Sequence, residues 1–272
     1  MPALVSARLP ITLLAGLAML FPPTALQAQA ENGGLTKVVK DGGKAETAGG
    51  VVEANVVKPS VKKLGDHRYQ LGDILFNGKT REIRFPATMN LEKGLLEYMI
   101  VTGNGKVHES LLSTEISAAQ LQVAMKLCHY KDGVGDTFDV LLPENEKKGK
   151  AGEAKRGSSV RIAVEWIEKA DGIEKPRRYQ LAELMRDLKT DGPVPEGQWI
   201  YTGSIIYEGT FIAEAEGTLI AVYIDNGALI NSFRPGADDD ERWVTNAEIA
   251  PKIGTTITVI LTPDTVEFPA KK

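Results

Sequence analysis

The chain has few of the side chains from which many catalytic and metal centres are built. Its 272 residues include one cysteine and three histidines. The single cysteine, Cys128, has no partner for an internal disulfide, and it cannot supply the four thiolates of an iron–sulfur cluster. We therefore expect the chain to fold by burying an apolar core, and we predict no cofactor.

An excess of basic residues is also missing. The 32 lysines and arginines are outnumbered by 36 acidic residues, which gives a net charge of −4 at pH 7. Nucleic-acid-binding proteins need a basic face that neutralises phosphates, so the composition argues against a nucleic-acid partner. Beyond the N-terminal segment no stretch is apolar enough to cross a bilayer, and we predict no integral membrane segment there.

Short motifs of the common enzyme classes do not occur. The chain contains no Gly-x-Ser-x-Gly, no Gly-x-x-x-x-Gly-Lys and no His-Glu-x-x-His. These patterns mark nucleophile elbows, phosphate-binding loops and zinc proteases. Because catalytic triads are defined by geometry rather than by spacing, their absence weakens an enzymatic interpretation and leaves it uncertain whether the chain is an enzyme.

The N-terminus has the features of a secretory signal peptide. One basic residue, Arg8, precedes an apolar run at 11–21, and Ala28 and Ala30 supply small residues for a signal peptidase. An uncleaved membrane anchor is the alternative, but the run is about half of the roughly 20 residues that a spanning helix needs. We predict a signal peptide over residues 1–30 and a periplasmic or secreted location.

The rest of the chain divides by composition. Residues 31–61 are rich in Gly, Lys, Glu and Ala and poor in aromatics, which predicts a flexible tether. Residues 62–265 have the apolar content of one globular domain, and residues 266–272 form a tail. Within the domain, residues 143–158 are predicted to be a polar loop insertion.

Strand patterns dominate the globular domain. Apolar residues alternate with polar ones over 160–166 and again over 256–261, as in strands with one buried face. The continuous apolar run at 218–224 predicts a central strand. Asn77 and Gly78 form a dipeptide that favours a tight hairpin turn.

Two amphipathic helices are predicted between these strands. Ser117 opens the first with a capping box, and apolar residues then recur at helical spacing up to Cys128, which is expected to face the core. The second helix is predicted over residues 181–188. The fold class is therefore α+β, a β-rich single domain with a mixed or antiparallel sheet.

One local cluster could carry chemistry. Lys106, His108 and Ser110 project from one face if this stretch is extended, and Glu109 projects from the other. His108 could then act as a base near Ser110, although side chains two apart on a strand lie about 7 Å apart. The alternative is a turn in which Ser110 and Glu109 bond to nearby backbone.

Two features suggest metal binding less strongly. The acidic loop at 237–241 could hold calcium, although it lacks the glycine and the distant acid of an EF-hand. A solvated turn that protects a sheet edge is the alternative. Cys128 and His129 are adjacent and could in principle bind a metal ion as a pair. Neighbouring residues on a helix point about 100° apart, however, which argues against such a pair.

Several segments together resemble the YdjY-like family of exported bacterial proteins. The similarity covers residues 69–263. It is carried by Gly94, Leu95, Leu96, Glu97 and Tyr98; Gly105, Lys106, His108, Glu109 and Ser110; Val164 and Trp166; Trp199, Ile200, Tyr201, Thr202, Gly203 and Ser204; Ala228, Leu229, Ile230 and Asn231; and Gly254, Thr255, Ile257, Thr258 and Val259.

The resemblance implies a family without an established biochemical activity. Some members carry a ferredoxin-like label, which this chain does not match because it lacks the cysteines. The resemblance makes Lys106, His108, Glu109 and Ser110 the hallmark positions and the candidate ligand-binding residues. We expect a non-catalytic binding or structural module of the cell envelope, whose partner is an envelope protein or a small ligand. The alternatives are a hydrolase using His108 and Ser110, or a metal-binding protein.

Overall fold

The computed structural model of the protein describes residues 60–133, 156–170 and 172–264. The predicted signal peptide, nearly all of the predicted tether, the C-terminal tail and most of the predicted loop insertion lie outside these residues. The helices and strands, in chain order, are β1 (Lys62–Gly65), β2 (Arg68–Leu71), β3 (Ile74–Asn77), β4 (Ile83–Met89), β5 (Tyr98–Thr102), a 3₁₀ helix (Val107–Glu109), β6 (Ser110–Thr114), α1 (Ala118–Leu127), β7 (Ser159–Ala170), β8 (Ile173–Gln180), a second 3₁₀ helix (Leu181–Leu184), β9 (Met185–Asp187), β10 (Gly192–Pro193), β11 (Trp199–Tyr201), β12 (Ile206–Tyr207), β13 (Thr210–Phe211), α2 (Ile212–Glu216), β14 (Thr218–Ala221), β15 (Ile230–Ser232), β16 (Trp243–Thr245) and β17 (Thr256–Pro263).

Eight of the strands form a closed sheet. Their order is β4, β17, β7, β11, β15, β14, β5 and β6, and β6 pairs with β4 again, so each strand has a hydrogen-bonded neighbour on both sides. The pairs β5–β6 and β14–β15 are parallel, and the other pairs are antiparallel. The predicted β-rich fold with a mixed sheet is therefore confirmed.

Four further strands extend the closed sheet. β1, β2 and β3 form an antiparallel meander that joins β4, and β8 pairs with β7. The hairpin predicted at Asn77 and Gly78 connects β3 to β4. There the side-chain oxygen of Asn77 accepts hydrogen bonds from the backbone N–H groups of Lys79 and Thr80, which satisfies the donors of the turn.

The interior of the closed sheet is filled by alternating side chains. In β17 the residues Ile257, Val259 and Leu261 are fully buried, whereas Thr256 is exposed and Thr258 is half-buried. The strand predicted over 160–166 lies in β7, and its apolar side chains are buried in the same core. Burial of each such side chain contributes on the order of 1.5–3 kcal/mol, which explains why this register is strongly preferred.

The connection between β5 and β6 is unusually short. The two strands are parallel neighbours, with Tyr98 opposite Ser110 and Thr102 opposite Thr114. Parallel strands usually need a crossover of a dozen or more residues. Here residues 103–109 alone return the chain to the start of β5, and Val107 packs on the outer side of the sheet against Tyr98 and Val101.

The first predicted helix is confirmed as α1. The side chain of Ser117 accepts a hydrogen bond from the N–H of Gln120 at 3.2 Å, as an N-cap should. Cys128, at the C-cap, is fully buried as predicted. Burial raises the pKa of its thiol to about 11, so this thiol is unreactive near neutral pH.

The second predicted helix, over residues 181–188, is wrong. Leu181 and Leu184 are buried, but they belong to a single 3₁₀ turn, and the chain then extends into β9, which pairs with β10 and β16. Asp187 is buried in β9, where its carboxylate is bound by Arg242 at 2.7 Å. This ion pair and the strand pairing outweigh the local helical pattern.

The helical content is consequently small. α2 has five residues and ends at Gly217, which adopts a left-handed conformation with a φ of 70°. The described chain is therefore a β-rich fold in which helices are minor elements. None of its described helices combines the length and the hydropathy that crossing a bilayer requires.

Candidate functional site

The hallmark residues lie at one end of the closed sheet, in a segment that we call the motif turn (residues 106–110). The segment is not extended: Val107–Glu109 form a 3₁₀ turn, and Ser110 begins β6. Asn90 clamps the segment, because its side-chain N–H groups donate to the carbonyl oxygens of Val107 at 2.5 Å and of Ser110 at 2.7 Å. The motif turn is thus held by a side chain that directly follows β4.

Ser110 points into the protein. Its side chain is fully buried, and its hydroxyl donates to the carbonyl oxygen of Lys106 at 2.6 Å, which closes the turn. This is the arrangement expected when a serine competes for local backbone groups. Within the described residues, no hydrogen bond joins Ser110 to His108, so the hydroxyl is oriented for the turn rather than for attack on a substrate.

Lys106 lies among three groups of the same region. Its ammonium group is 3.4 Å from a carboxylate oxygen of Glu109, 3.6 Å from one of Glu97, and 5.1 Å from the ring centre of Tyr98. Burial disfavours the charged form, but contact with Tyr98 and the charges of Glu109 and Glu97 outweigh it, so the pKa of Lys106 is raised. Lys106 therefore stays protonated.

The pKa values of two neighbouring acidic groups, Glu97 and Tyr98, are raised as well. The pKa of Glu97 is raised, first by burial and then by the negative charge of Glu109, against the opposing effect of Lys106. Burial, with a smaller contribution from the charge of Asp225, raises the pKa of Tyr98 to about 12. In this region one cation, Lys106, interacts with the carboxylates of both Glu97 and Glu109.

His108 is the exposed member of the motif. Its side chain is 77% exposed, and its Nε2 atom is 3.6 Å from a carboxylate oxygen of Glu109. The structure thus brings Lys106, His108 and Glu109 together on the surface and turns Ser110 inward. His67 and His129 lie elsewhere, where they line a separate cavity of about 330 Å³.

The acidic loop forms internal contacts. Asp239 is ion-paired with Lys189, and its carboxylate also accepts a hydrogen bond from the N–H of Glu241. The hydrogen bond from Lys189 is the main reason that the pKa of Asp239 is lowered. Among the residues that the structure describes, no group of three or more His, Cys, Asp or Glu side chains is placed to hold a metal ion.

A cavity suited to a small molecule lies outside the motif, and sequence reasoning missed it. We call it the groove. It has a volume of about 590 Å³ and lies between β7, β8, the 3₁₀ helix Leu181–Leu184 and the segment 193–197. Its walls are mostly apolar, with Tyr179, Trp199 and Val194 among them. A volume of roughly 300–1,000 Å³ is typical of sites for small organic molecules.

Arg234 gives the groove a polar wall. Arg234 lies just after the end of β15. The last residue of β15, Ser232, is opposite Trp199 of β11, and this pairing brings Arg234 close to Trp199. The guanidinium carbon lies 4.4 Å from the ring centre of Trp199, and Nη1 donates to the hydroxyl of Ser232 at 3.1 Å. Burial lowers the pKa of Arg234 to about 10. A charged residue directly after Phe233, in a segment that is mostly apolar from Ala228 onward, is a signal that could have indicated this position.

Comparison with known proteins places the chain in a family. No curated protein and no solved structure matches it significantly. The model of the YdjY domain matches residues 74–262, which include the motif turn, most of the walls of the groove, and the closed sheet. The match agrees with the resemblance found in the motif segments and extends over most of the chain. The protein therefore belongs to the YdjY family.

Proposed function

We propose that the protein is a non-catalytic binding module of the cell envelope that holds a small organic ligand in the groove. The observation that carries this proposal is the groove itself, a cavity of about 590 Å³ with apolar walls and one buried charged group. Few convergent polar groups in an otherwise apolar cavity are typical of ligand sites.

The geometry of the motif turn supports a non-catalytic role. A hydrolase would need the hydroxyl of Ser110 within hydrogen-bond reach of His108 and exposed to a substrate. Instead the hydroxyl is buried and donates to the carbonyl of Lys106. Lys106 and Ser110 then serve the architecture of the turn, and His108 and Glu109 are the motif residues left to contact a partner at the surface.

Export to the periplasm or the medium is part of the proposal and is tested separately. The full chain would be expressed in a bacterium, and the intact mass of the product in the periplasmic fraction would be measured. We expect the mass of the chain without residues 1–30. A product of full-length mass in the cytoplasmic fraction would contradict export and leave the binding proposal intact.

The binding proposal is tested by blocking the groove. Ala182 lines the groove on the second 3₁₀ helix and is half-buried. A screen of small organic compounds against the full chain by thermal unfolding should find compounds that raise Tm, because a ligand that binds only the folded state stabilises it. In an Ala182→Phe variant the same compounds should lose this effect.

The matched control is Ala215→Phe, which adds the same side chain at an exposed alanine of α2. This variant should respond to the compounds as the parent does. The proposal fails if no compound raises Tm and native mass spectrometry detects no bound small molecule. It also fails if both phenylalanine variants respond to the compounds like the parent chain.

A further inference from the structure

We propose that the groove selects ligands that carry a carboxylate on an apolar body, and that Arg234 is the residue that recognises the carboxylate. This inference rests on the proposed binding function and specifies the chemical class of the ligand. It is carried by the position of one charged side chain, which is 95% buried, lines the groove, and lacks an acidic partner in the described part of the chain.

The hydrogen bonds of Arg234 are largely unused. A guanidinium group has five N–H donors in a planar fork. Only Nη1 donates to a described residue, the hydroxyl of Ser232, and the buried Nε atom has no partner. Buried charges in folded proteins are normally paired, because an uncompensated charge in an apolar interior is strongly disfavoured. A guanidinium with unused donors at the wall of a cavity therefore has the chemistry of an anion site.

Three described carboxylates line the groove, those of Glu183, Glu196 and Asp264, and none of them pairs with Arg234. Glu183 accepts a hydrogen bond from the backbone N–H of Gln180 at 2.6 Å, and Asp264 pairs with Arg161 at 3.2 Å. Among the described residues, no carboxylate oxygen lies within ion-pair distance of Arg234, whereas Arg161 in the same groove has such a partner. The charge of Arg234 is thus available to a ligand.

The neighbours of Arg234 hold its fork in place. The guanidinium carbon lies over the ring of Trp199, 4.4 Å from its centre, and this contact helps to orient the group. Gly197 lies against the aliphatic base of the same side chain, because a Cβ atom at this position would lie 2.1 Å from Cγ of Arg234. A planar fork that is already ordered loses little entropy when it binds a carboxylate through two parallel hydrogen bonds.

The walls of the groove define the rest of the ligand. Tyr179, Val194, Trp199 and Ile249 line the same groove as Arg234 and present apolar surface. An aliphatic or aryl chain that ends in a carboxylate matches this combination of surfaces. A neutral amide of the same shape would fill the groove equally well but would meet the guanidinium without a charge.

The test compares acids with their amides. Binding of 4-phenylbutyrate and octanoate to the full chain would be measured by titration calorimetry beside 4-phenylbutyramide and octanamide. We expect each acid to bind at least about tenfold more tightly than its amide, because charge-assisted bidentate hydrogen bonds are roughly twice as strong as neutral ones. Arg234→Met should abolish this preference, and Arg234→Lys should retain only part of it, since lysine keeps the charge and loses the fork.

Two controls separate recognition from stability and from net charge. Arg178→Met removes a cation that pairs with Glu165 at 2.5 Å and does not line the groove, so it should keep the preference. Without ligand, Arg234→Met should have an unchanged or higher Tm, because it removes an uncompensated buried charge. A structural arginine would instead lower Tm in this variant.

The outcomes distinguish the two proposals. Equal affinity for acids and amides in the parent chain, or a preference that persists in Arg234→Met, overturns the assignment of Arg234 and leaves the binding function standing. Binding of neither acids nor amides contradicts the binding function and the carboxylate assignment together. A strong fall in Tm for Arg234→Met without ligand also overturns the assignment, because it makes Arg234 a structural residue.

Discussion

At the motif turn the ammonium of Lys106 lies between two carboxylates, whereas at the groove the guanidinium of Arg234 has no carboxylate within ion-pair distance among the described residues. The first cation is half-exposed and the second is 95% buried. One would expect the more buried charge to have the better internal partners. We propose that this reversal reflects two roles: the charges of the motif turn stabilise the fold, and the charge in the groove binds a ligand.

The largest effect should come from the arginine that pairs with a buried carboxylate. Arg242 binds the carboxylate of Asp187 through two hydrogen bonds, at 3.0 and 2.7 Å. Arg242→Met would leave Asp187 as an uncompensated buried charge and should lower the free energy of unfolding by about 3–5 kcal/mol. Urea unfolding would measure this loss. If Arg234→Met caused an equal loss, the contrast between the paired and the unpaired arginine would be invalid.

A smaller loss should follow when the clamp on the motif turn is removed. Asn90→Ala deprives the carbonyl oxygens of Val107 and Ser110 of their donors. The expected loss is about 2 kcal/mol in the free energy of unfolding, measured by urea unfolding. Asn226→Ala, at an exposed asparagine, is the control and should change stability by less than about 0.5 kcal/mol. Equal effects of the two changes would argue against an architectural role of the turn.

The pH dependence of stability should reflect the raised pKa of Glu97. In the folded state Glu97 binds its proton more tightly than its ordinary pKa of 4.5 implies. Its contribution to stability is therefore present below about pH 4.5 and is lost as the pH rises through the folded pKa. Compared with the parent chain, Glu97→Gln should gain relative stability between pH 4 and pH 7, as measured by thermal unfolding across that range.

The exposed Glu208 provides the control for this experiment. Glu208→Gln should follow the pH profile of the parent chain. A Glu97→Gln variant whose stability relative to the parent does not change with pH, or falls as the pH rises, would contradict the proposed charge coupling at the motif turn.

The smallest effect is expected for His108→Ala. This side chain is 77% exposed and touches only Glu109 among the contacts described. Its removal should change the free energy of unfolding by less than about 0.5 kcal/mol and leave acid binding in the groove unchanged. Calorimetric titration with 4-phenylbutyrate would check the second point. A loss of binding would show that the motif turn and the groove are functionally connected, and it would contradict the separate roles assigned to them.

The strands were predictable where local periodicity and tertiary burial agree. The alternation at 256–261 and at 160–166 places the same side chains in the core that the pattern indicates. The capped start of α1 at Ser117 was predictable for the same reason, since the cap is a local interaction. Such features need no knowledge of distant residues.

The groove could not be predicted because distant pairings form it. Arg234, Gly197 and Trp199 meet through the β11–β15 pair, and the apolar walls come from residues as distant as Val160 and Ile249. The incorrect helix at 181–188 has a related cause, because Asp187 is buried against Arg242, which is 55 residues away in the chain. A local apolar pattern does not contain this information.

The short connection between β5 and β6 has a consequence for how the chain tolerates changes in length. Residues 103–109 return along about 13 Å of strand and pass so close to α2 that a Cβ on Gly105 would lie 3.0 Å from the carbonyl oxygen of Gly217. An inserted or deleted residue there would shift one parallel strand against the other and reverse which of its side chains face the core. The hairpin tip at Glu208 and Gly209, which is exposed and has no such neighbours, can lengthen freely. Variation in length among proteins with this fold should therefore collect at that tip and avoid the motif turn.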